Sequence, residues 1–89
     1  MTEETILKNQ IKDYLNIKQV FWWYNLQGLG SQKGIPDLFA LKNGVLFAIE
    51  VKSPKGKLSE AQENFLERIK LNGGTVIIAR KLEDIEKFL

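Results

Sequence analysis

Two short apolar runs separated by Asn43-Gly44 are the feature that most limits how this 89-residue chain can fold. The runs are DLFAL, residues 37–41, and VLFAIEVK, residues 45–52. Asn-Gly between two such segments favours a tight turn in which both central residues have positive φ, and this turn joins antiparallel strands. The sequence therefore predicts a β-hairpin whose register is set by the turn.

Two acids fall opposite each other in that register. Counting outward from the turn places Asp37 across from Glu50, on one face of the hairpin, with Lys52 two residues further along the same face. Opposed side chains lie roughly 5 Å apart, and two like charges there destabilise a sheet unless a cation or a proton intervenes. One interpretation is a charge cluster at a sheet edge, with Asp37 acting as a turn residue after Pro36. On a strand that is otherwise apolar, however, the three residues together favour a functional site.

The chemistry open to such a site is narrow, because the chain has neither histidine nor cysteine. Catalysis would have to use carboxylates, lysines, hydroxyls or a metal held by oxygen. Asp37 and Glu50 offer two hard oxygen ligands of the kind that Mg²⁺ or Mn²⁺ prefers. Lys52 beside such an ion could orient a water, help it lose a proton or stabilise charge on a phosphate. This combination favours phosphodiester hydrolysis.

The remaining segments predict helices on either side of a sheet. Apolar residues at helical spacing, capping residues and β-branched or aromatic runs mark these elements. In chain order we predict a helix over 4–15, a strand over 19–24, a flexible loop over 25–34, the hairpin, a loop over 53–58, a helix from Ser59 to the Gly73-Gly74 pair, a strand over 75–79 and a helix over 82–89. The prediction is an α/β chain of order α-β-β-β-α-β-α that forms one domain over residues 1–89.

Two further polar residues are candidates for the same site. Glu4 begins the first helix, where the helix dipole already favours an acid, but it could also point over the sheet at a metal. Gln62 lies three residues after Ser59, which is the spacing of a capping box, and could instead contact substrate or water. Both interpretations stay open for each residue.

Positive charge is concentrated in the middle of the chain. Residues 17–59 contain six lysines against two acids, whereas each flanking segment has a net charge of −1. This distribution fits either a basic groove around an acidic centre or a solvated lysine-rich loop. Lys33, Lys55 and Lys57 are the candidates for phosphate contacts. The aromatic run 22–24 could stack on bases, but in a strand it more often belongs to a core or a dimer surface.

Pro36-Asp37 followed by Glu50-Val51-Lys52 resembles the signature of the PD-(D/E)xK nuclease superfamily. Residues 34–74, from GIPDLF to the double glycine, resemble the VRR-NUC family of virus-type replication-repair nucleases. The resemblance extends more weakly to Glu4 and to Asn25, which follows the aromatic strand.

The resemblance implies a restriction-endonuclease-like core, with a mixed sheet flanked by helices. It implies Mg²⁺ or Mn²⁺ bound by Asp37, Glu50 and the backbone carbonyl of Val51, with Glu4 as a further ligand, directly or through a water. Lys52 would be the catalytic lysine, Gln62 would complete the catalytic set, and Asn25 would join the lysines in contacting DNA.

Small stand-alone members of the family occur in phages and bacteria and act as homodimers on branched DNA such as four-way (Holliday) junctions. We therefore expect a metal-dependent, structure-selective DNA endonuclease that acts as a homodimer, which would also suit a chain of this length. The alternatives are a non-selective nicking nuclease and a non-catalytic nucleic-acid-binding module of the same fold. With no apolar segment of membrane-spanning length, we expect an unprocessed cytoplasmic protein in a phage-infected or bacterial host, with no membrane partner.

Overall fold

A computed structural model describes residues 1–26 and 32–89 of the chain. Its centre is a sheet whose strands are β1 (Phe21–Tyr24), β2 (Leu38–Lys42), β3 (Val45–Val51) and β4 (Thr75–Ala79). The strands lie side by side in that order; β1, β2 and β3 are antiparallel neighbours, and β4 runs parallel to β3. The helices are α1 (Glu3–Ile17), α2 (Glu60–Leu71) and α3 (Leu82–Glu86). The predicted element order and the mixed sheet are confirmed.

The hairpin has the predicted register. Lys42 pairs with Val45 and Leu38 with Ile49, where the pairing ends; Asp37 and Glu50 are the next residue on each side. The turn residues Asn43 and Gly44 have φ angles of 52° and 79°, as a tight hairpin turn requires.

One face of the sheet forms the apolar core. Every second residue of β3, namely Phe47, Ile49 and Val51, is buried there, and α1 covers them with Leu7, Ile11 and Leu15. The short α3 closes the same core with Ile85. Side chains of a strand alternate between faces, so Glu50 and Lys52 must lie on the other face, where α2 packs.

Element boundaries differ from the predicted ones by a few residues. The first helix is longer than predicted, because Thr2 caps it by accepting a hydrogen bond from the Thr5 amide. The last helix is shorter than predicted and ends at Glu86. Residues 27–31, for which a flexible loop was predicted, lie outside the described residues. Within the described part of the chain, no helix has the length and apolar character needed to cross a membrane.

Candidate active site

The segment that presents Asp37 is fixed from both sides. Asn25 donates a side-chain hydrogen bond to the Pro36 carbonyl at 2.9 Å, and its backbone amide donates to the Asp37 carbonyl at 3.1 Å. Gly34, with φ of 77°, lies so close to the start of α2 that a Cβ would overlap the Ala61 carbonyl. Only glycine suits both that φ angle and that contact. The Asp37 carboxylate is therefore placed by backbone contacts on either side of it.

Both carboxylate oxygens of Asp37 have partners. Its Oδ2 accepts a hydrogen bond from the Val51 amide at 2.7 Å, and its Oδ1 lies 3.2 Å from the Lys8 Nζ. The Val51 amide therefore points from β3 towards Asp37. In a regular strand the carbonyl of a residue points to the same side as its amide, which directs the Val51 carbonyl towards Asp37 as well.

Glu50 is the buried acid of the site, with only 3% of its surface exposed. Its Oε2 accepts a hydrogen bond from Gln62 Nε2 at 3.3 Å and lies 4.0 Å from Lys52 Nζ. The pKa of Glu50 is raised from 4.5 to about 8, chiefly by burial and then by the charge of Asp37 and a hydrogen bond to it, against the opposing effect of Lys52 and Lys8. Without added positive charge nearby, the buried Glu50 carboxyl group therefore keeps its proton at neutral pH.

Gln62 forms the predicted capping box and also contacts the buried acid. Its Oε1 accepts from the Ser59 amide at 2.9 Å, while the Ser59 hydroxyl accepts from the Gln62 amide at 3.1 Å, so the capping box is formed. Its Nε2 is then directed at Glu50. The capping box orients the amide group and thereby links the beginning of α2 to the acid.

Glu4 lies at the edge of the site. Its Oε1 accepts a hydrogen bond from the Ser53 amide at 3.3 Å, directly after Lys52 in the chain. Among the described residues, no three acids stand close enough together to hold a metal ion. The carboxylates brought together are therefore those of Asp37 and Glu50, with Glu4 attached to the following loop.

The donor set fits a hard divalent cation. Asp37 and Glu50 can supply carboxylate oxygens and Val51 a carbonyl oxygen, and the chain has neither cysteine nor histidine to offer a thiolate or an imidazole. The paired acids, one of them buried, form a site in which added positive charge would be favourable.

The loop after Lys52 is tied to the strand beyond it by Arg80. The Arg80 Nη1 donates to the carbonyls of Ser53 at 2.8 Å, Pro54 at 3.3 Å and Gly56 at 2.7 Å. This loop contains Lys55 and Lys57, both of which are exposed, as is Lys33 next to Gly34. The predicted phosphate-binding lysines are thus on the surface, and two of them are on a loop with a fixed backbone.

Sequence reasoning missed Lys8 and Arg80. Lys8 follows the buried Leu7 but is not itself buried, so only the way α1 crosses the sheet reveals its contact with Asp37. Arg80 is far from the loop in sequence, and its contact follows from the parallel pairing of β4 with β3, which brings the ends of the two strands together.

A mixed four-stranded sheet flanked by helices carries an acidic pair and a lysine at the end of β3, and the matches that follow show that this is a nuclease-type fold. Residues 2–81 match the family model of the VRR-NUC domain, and the chain belongs to the VRR-NUC family. It is similar to a solved structure described as a VRR_NUC domain, with a TM-score of 0.82 and 24% identity over 98% of this chain and 94% of the other. A second solved structure, described as a VRR_NUC domain protein, has a TM-score of 0.80 and 14% identity over 98% of this chain and 84% of the other.

Proposed function

We propose that this chain is a metal-dependent DNA endonuclease that hydrolyses phosphodiester bonds. The observation that supports it most directly is the convergence of Asp37, Glu50 and Lys52 on one face at the end of β3. Two carboxylates with an adjacent amine are the groups that phosphodiester hydrolysis requires in a site without histidine. Membership of the VRR-NUC family supports the same activity.

In this proposal Asp37, Glu50 and the Val51 carbonyl hold a Mg²⁺ or Mn²⁺ ion. When bound, the ion would polarise a phosphate oxygen and make water a better nucleophile at neutral pH. Glu4, if it leaves the Ser53 amide, would add a ligand directly or through a water.

Gln62 and Lys52, which lie next to the acids, each have a role in this proposal. Gln62, oriented by its capping box, holds the Glu50 carboxyl group in position. Lys52, whose side chain is 15% exposed, can reach the attacking water or the phosphate from its place beside Glu50. Hydrolysis would form one P–O bond to that water and break one P–O ester bond; the water's proton passes to solvent, and the leaving sugar oxygen takes up a proton and departs as a hydroxyl group. Lys52 would stabilise the negative charge that develops on the phosphate.

Exposed lysines around the two acids are the proposed contacts for DNA. Lys33, Lys55 and Lys57 would bind phosphates, which gives an affinity that decreases with salt concentration. Asn25 uses its amide nitrogen on the Pro36 carbonyl, so its part would be to place Asp37 and to offer its remaining side-chain oxygen to DNA.

We further propose that the enzyme acts as a homodimer on branched DNA. A symmetric substrate with two strands to cut suits two sites related by a two-fold axis. The face of β1 and β2 beside the acids exposes a cluster of apolar side chains, with Phe21 66%, Trp23 37% and Leu41 39% exposed. Phe21 and Trp23 lie 5.3 Å apart between ring centroids, and Trp23 and Phe39 lie 5.8 Å apart. Exposed apolar patches of this kind often mark protein interfaces.

The activity is tested with labelled linear, flap and four-way-junction DNA in Mg²⁺, Mn²⁺ or EDTA. We expect wild-type protein to cut with either metal, to prefer the junction and to be inactive in EDTA. Asp37→Ala and Lys52→Ala should abolish cutting. Lys42→Ala is the matched control, because Lys42 is exposed at the opposite, turn end of the same hairpin.

The outcomes separate the competing functions. No cutting of any substrate with either metal would reject the nuclease and favour a non-catalytic binding module, whereas equal cutting of all substrates would indicate a non-selective nicking nuclease. Sedimentation of wild-type protein and Phe21→Lys tests the homodimer; we expect a dimer that the substitution dissociates, and a monomeric wild type would reject it.

A further inference from the structure

Lys8 lies against the acid that we propose as a metal ligand. Its Nζ is 3.2 Å from the Asp37 Oδ1, and the other oxygen of Asp37 is held by the Val51 amide. One oxygen of this carboxylate therefore accepts a hydrogen bond from a neutral backbone amide of β3, and the other forms an ion pair with a flexible lysine of α1. Of these two partners, only the cation is replaceable without disturbing the backbone.

The backbone of Lys8 is held in place by the packing of α1, whereas its ammonium group can move. The preceding residue Leu7 and the next apolar residue, Ile11, are buried in the core, which sets the face of α1 that meets the sheet. The Lys8 side chain is 33% exposed, so its long stem has a route to solvent. Lysine ammonium groups move readily between such positions because the four-carbon stem is flexible.

Lys8 also affects the second acid. Its charge opposes the raised pKa of Glu50, so its electrostatic influence extends across both carboxyl groups of the site. Lys52 has a different place, 4.0 Å from Glu50, and no ion pair joins it to Asp37 in the described part of the chain. The two lysines are thus not equivalent: Lys52 lies beside Glu50, whereas Lys8 forms an ion pair with Asp37.

We propose that Lys8 is an internal counter-ion that competes with the divalent cation for Asp37 Oδ1. The proposal rests on the metal site proposed above. A carboxylate oxygen in contact with an ammonium group is a weaker ligand for a cation, and a monovalent and a divalent cation at the same carboxylate repel each other. Lys8 therefore has to leave Asp37 when the metal enters, and it stabilises the acids when the metal is absent.

The experiment is a calorimetric titration of the protein with Ca²⁺ and Mg²⁺ in the absence of DNA. We expect Lys8→Met to bind either ion about two- to tenfold more tightly than wild type, the range that a partly exposed ion pair corresponds to. Lys8→Arg, which retains the charge, should stay close to wild type. Lys12→Met is the matched control: it removes the same charge one turn along α1, where the Lys12 amine lies 4.9 Å from the centre of the Tyr24 ring.

The outcomes distinguish this inference from the metal site itself. Equal or weaker binding by Lys8→Met, or equal tightening by Lys12→Met, overturns the role of Lys8 and leaves the metal site standing. If neither wild type nor Lys8→Met binds a divalent cation, both proposals are wrong. Thermal unfolding in EDTA checks that the variants are folded, and a Lys8→Met protein that binds metal is folded by that fact.

Discussion

Ile49 and Glu50 are adjacent on β3 and both are buried, but they face opposite sides of the sheet. Ile49 is fully enclosed in the apolar core with α1, α3 and the neighbouring strands. Glu50 is enclosed among polar groups: the amide of Gln62, the amine of Lys52 and the carboxylate of Asp37. Burial of Ile49 stabilises the fold, whereas burial of a charged Glu50 opposes it. The alternation of a single strand thus separates the residues that hold the fold from those that could perform chemistry.

The sharpest test of this separation replaces Glu50 with its neutral isostere. We expect Glu50→Gln to lower the cleavage rate by about a thousandfold, the upper range for loss of one group that stabilises charge in the reaction. We expect its unfolding free energy in EDTA at neutral pH to be unchanged or higher, because the amide, unlike the Glu50 carboxyl group, takes up no proton on folding. Denaturant unfolding and single-turnover cleavage measure the two quantities. A large loss of stability would show that Glu50 is part of the structural core after all.

The reciprocal substitution lies one residue earlier. Ile49→Ala should lower the unfolding free energy by about 3 kcal/mol, because it leaves a cavity in a fully buried site. For a domain of this size the melting temperature would fall by roughly 10 to 25 °C. Cleavage measured well below that temperature should remain close to wild type. Loss of activity in folded Ile49→Ala protein would mean that the two faces are coupled.

Much of this arrangement follows from local signals in the sequence. Asn43-Gly44 fixes the hairpin register, and the register alone predicts that Asp37 and Glu50 meet. Gln62 was predicted either to cap the helix or to contact substrate or water; the capping box is observed, and the donor end of its amide bonds to Glu50.

The contacts of Lys8 and Arg80 could not be predicted in the same way. They depend on where α1 and the end of β4 lie across the sheet, and this is decided by packing between segments distant in sequence. Short-range spacing contains no information on such placement. Lys8 and Arg80, which connect the site to the rest of the fold, were therefore not predicted from the sequence.

The pH dependence of the unfolding free energy tests whether Glu50 is protonated in the folded protein. The pKa of Glu50 is raised to about 8, so between about pH 4.5 and 8 the folded protein retains a proton that the unfolded chain releases. Stability should then fall as pH rises through this window, by up to about 1.4 kcal/mol per pH unit from this group. Urea unfolding in EDTA at several pH values measures it, with Glu50→Gln as the control that should lack this contribution. Identical pH profiles for the two proteins would contradict a buried, protonated Glu50.

The smallest expected effect concerns Arg80, which connects the end of the core strand β4 to the loop on the active-site side. Its guanidinium group donates to the carbonyls of Ser53, Pro54 and Gly56, and those hydrogen bonds hold the backbone on which Lys55 and Lys57 stand. Arg80→Met should lower the unfolding free energy by about 1 kcal/mol, because partly exposed carbonyls regain water.

The kinetic effect should be more specific than the loss of stability. We expect KM for DNA to rise several-fold while kcat changes less, since the loop lysines are the proposed phosphate contacts and Lys52 directly follows β3. Arg68→Met, at an exposed position on α2, is the matched control and should alter neither constant. If Arg80→Met lowers kcat and leaves KM unchanged, the loop positions Lys52 rather than binding the DNA backbone. Arg80 would then belong to the residues that support the reaction and not only to those that hold the fold.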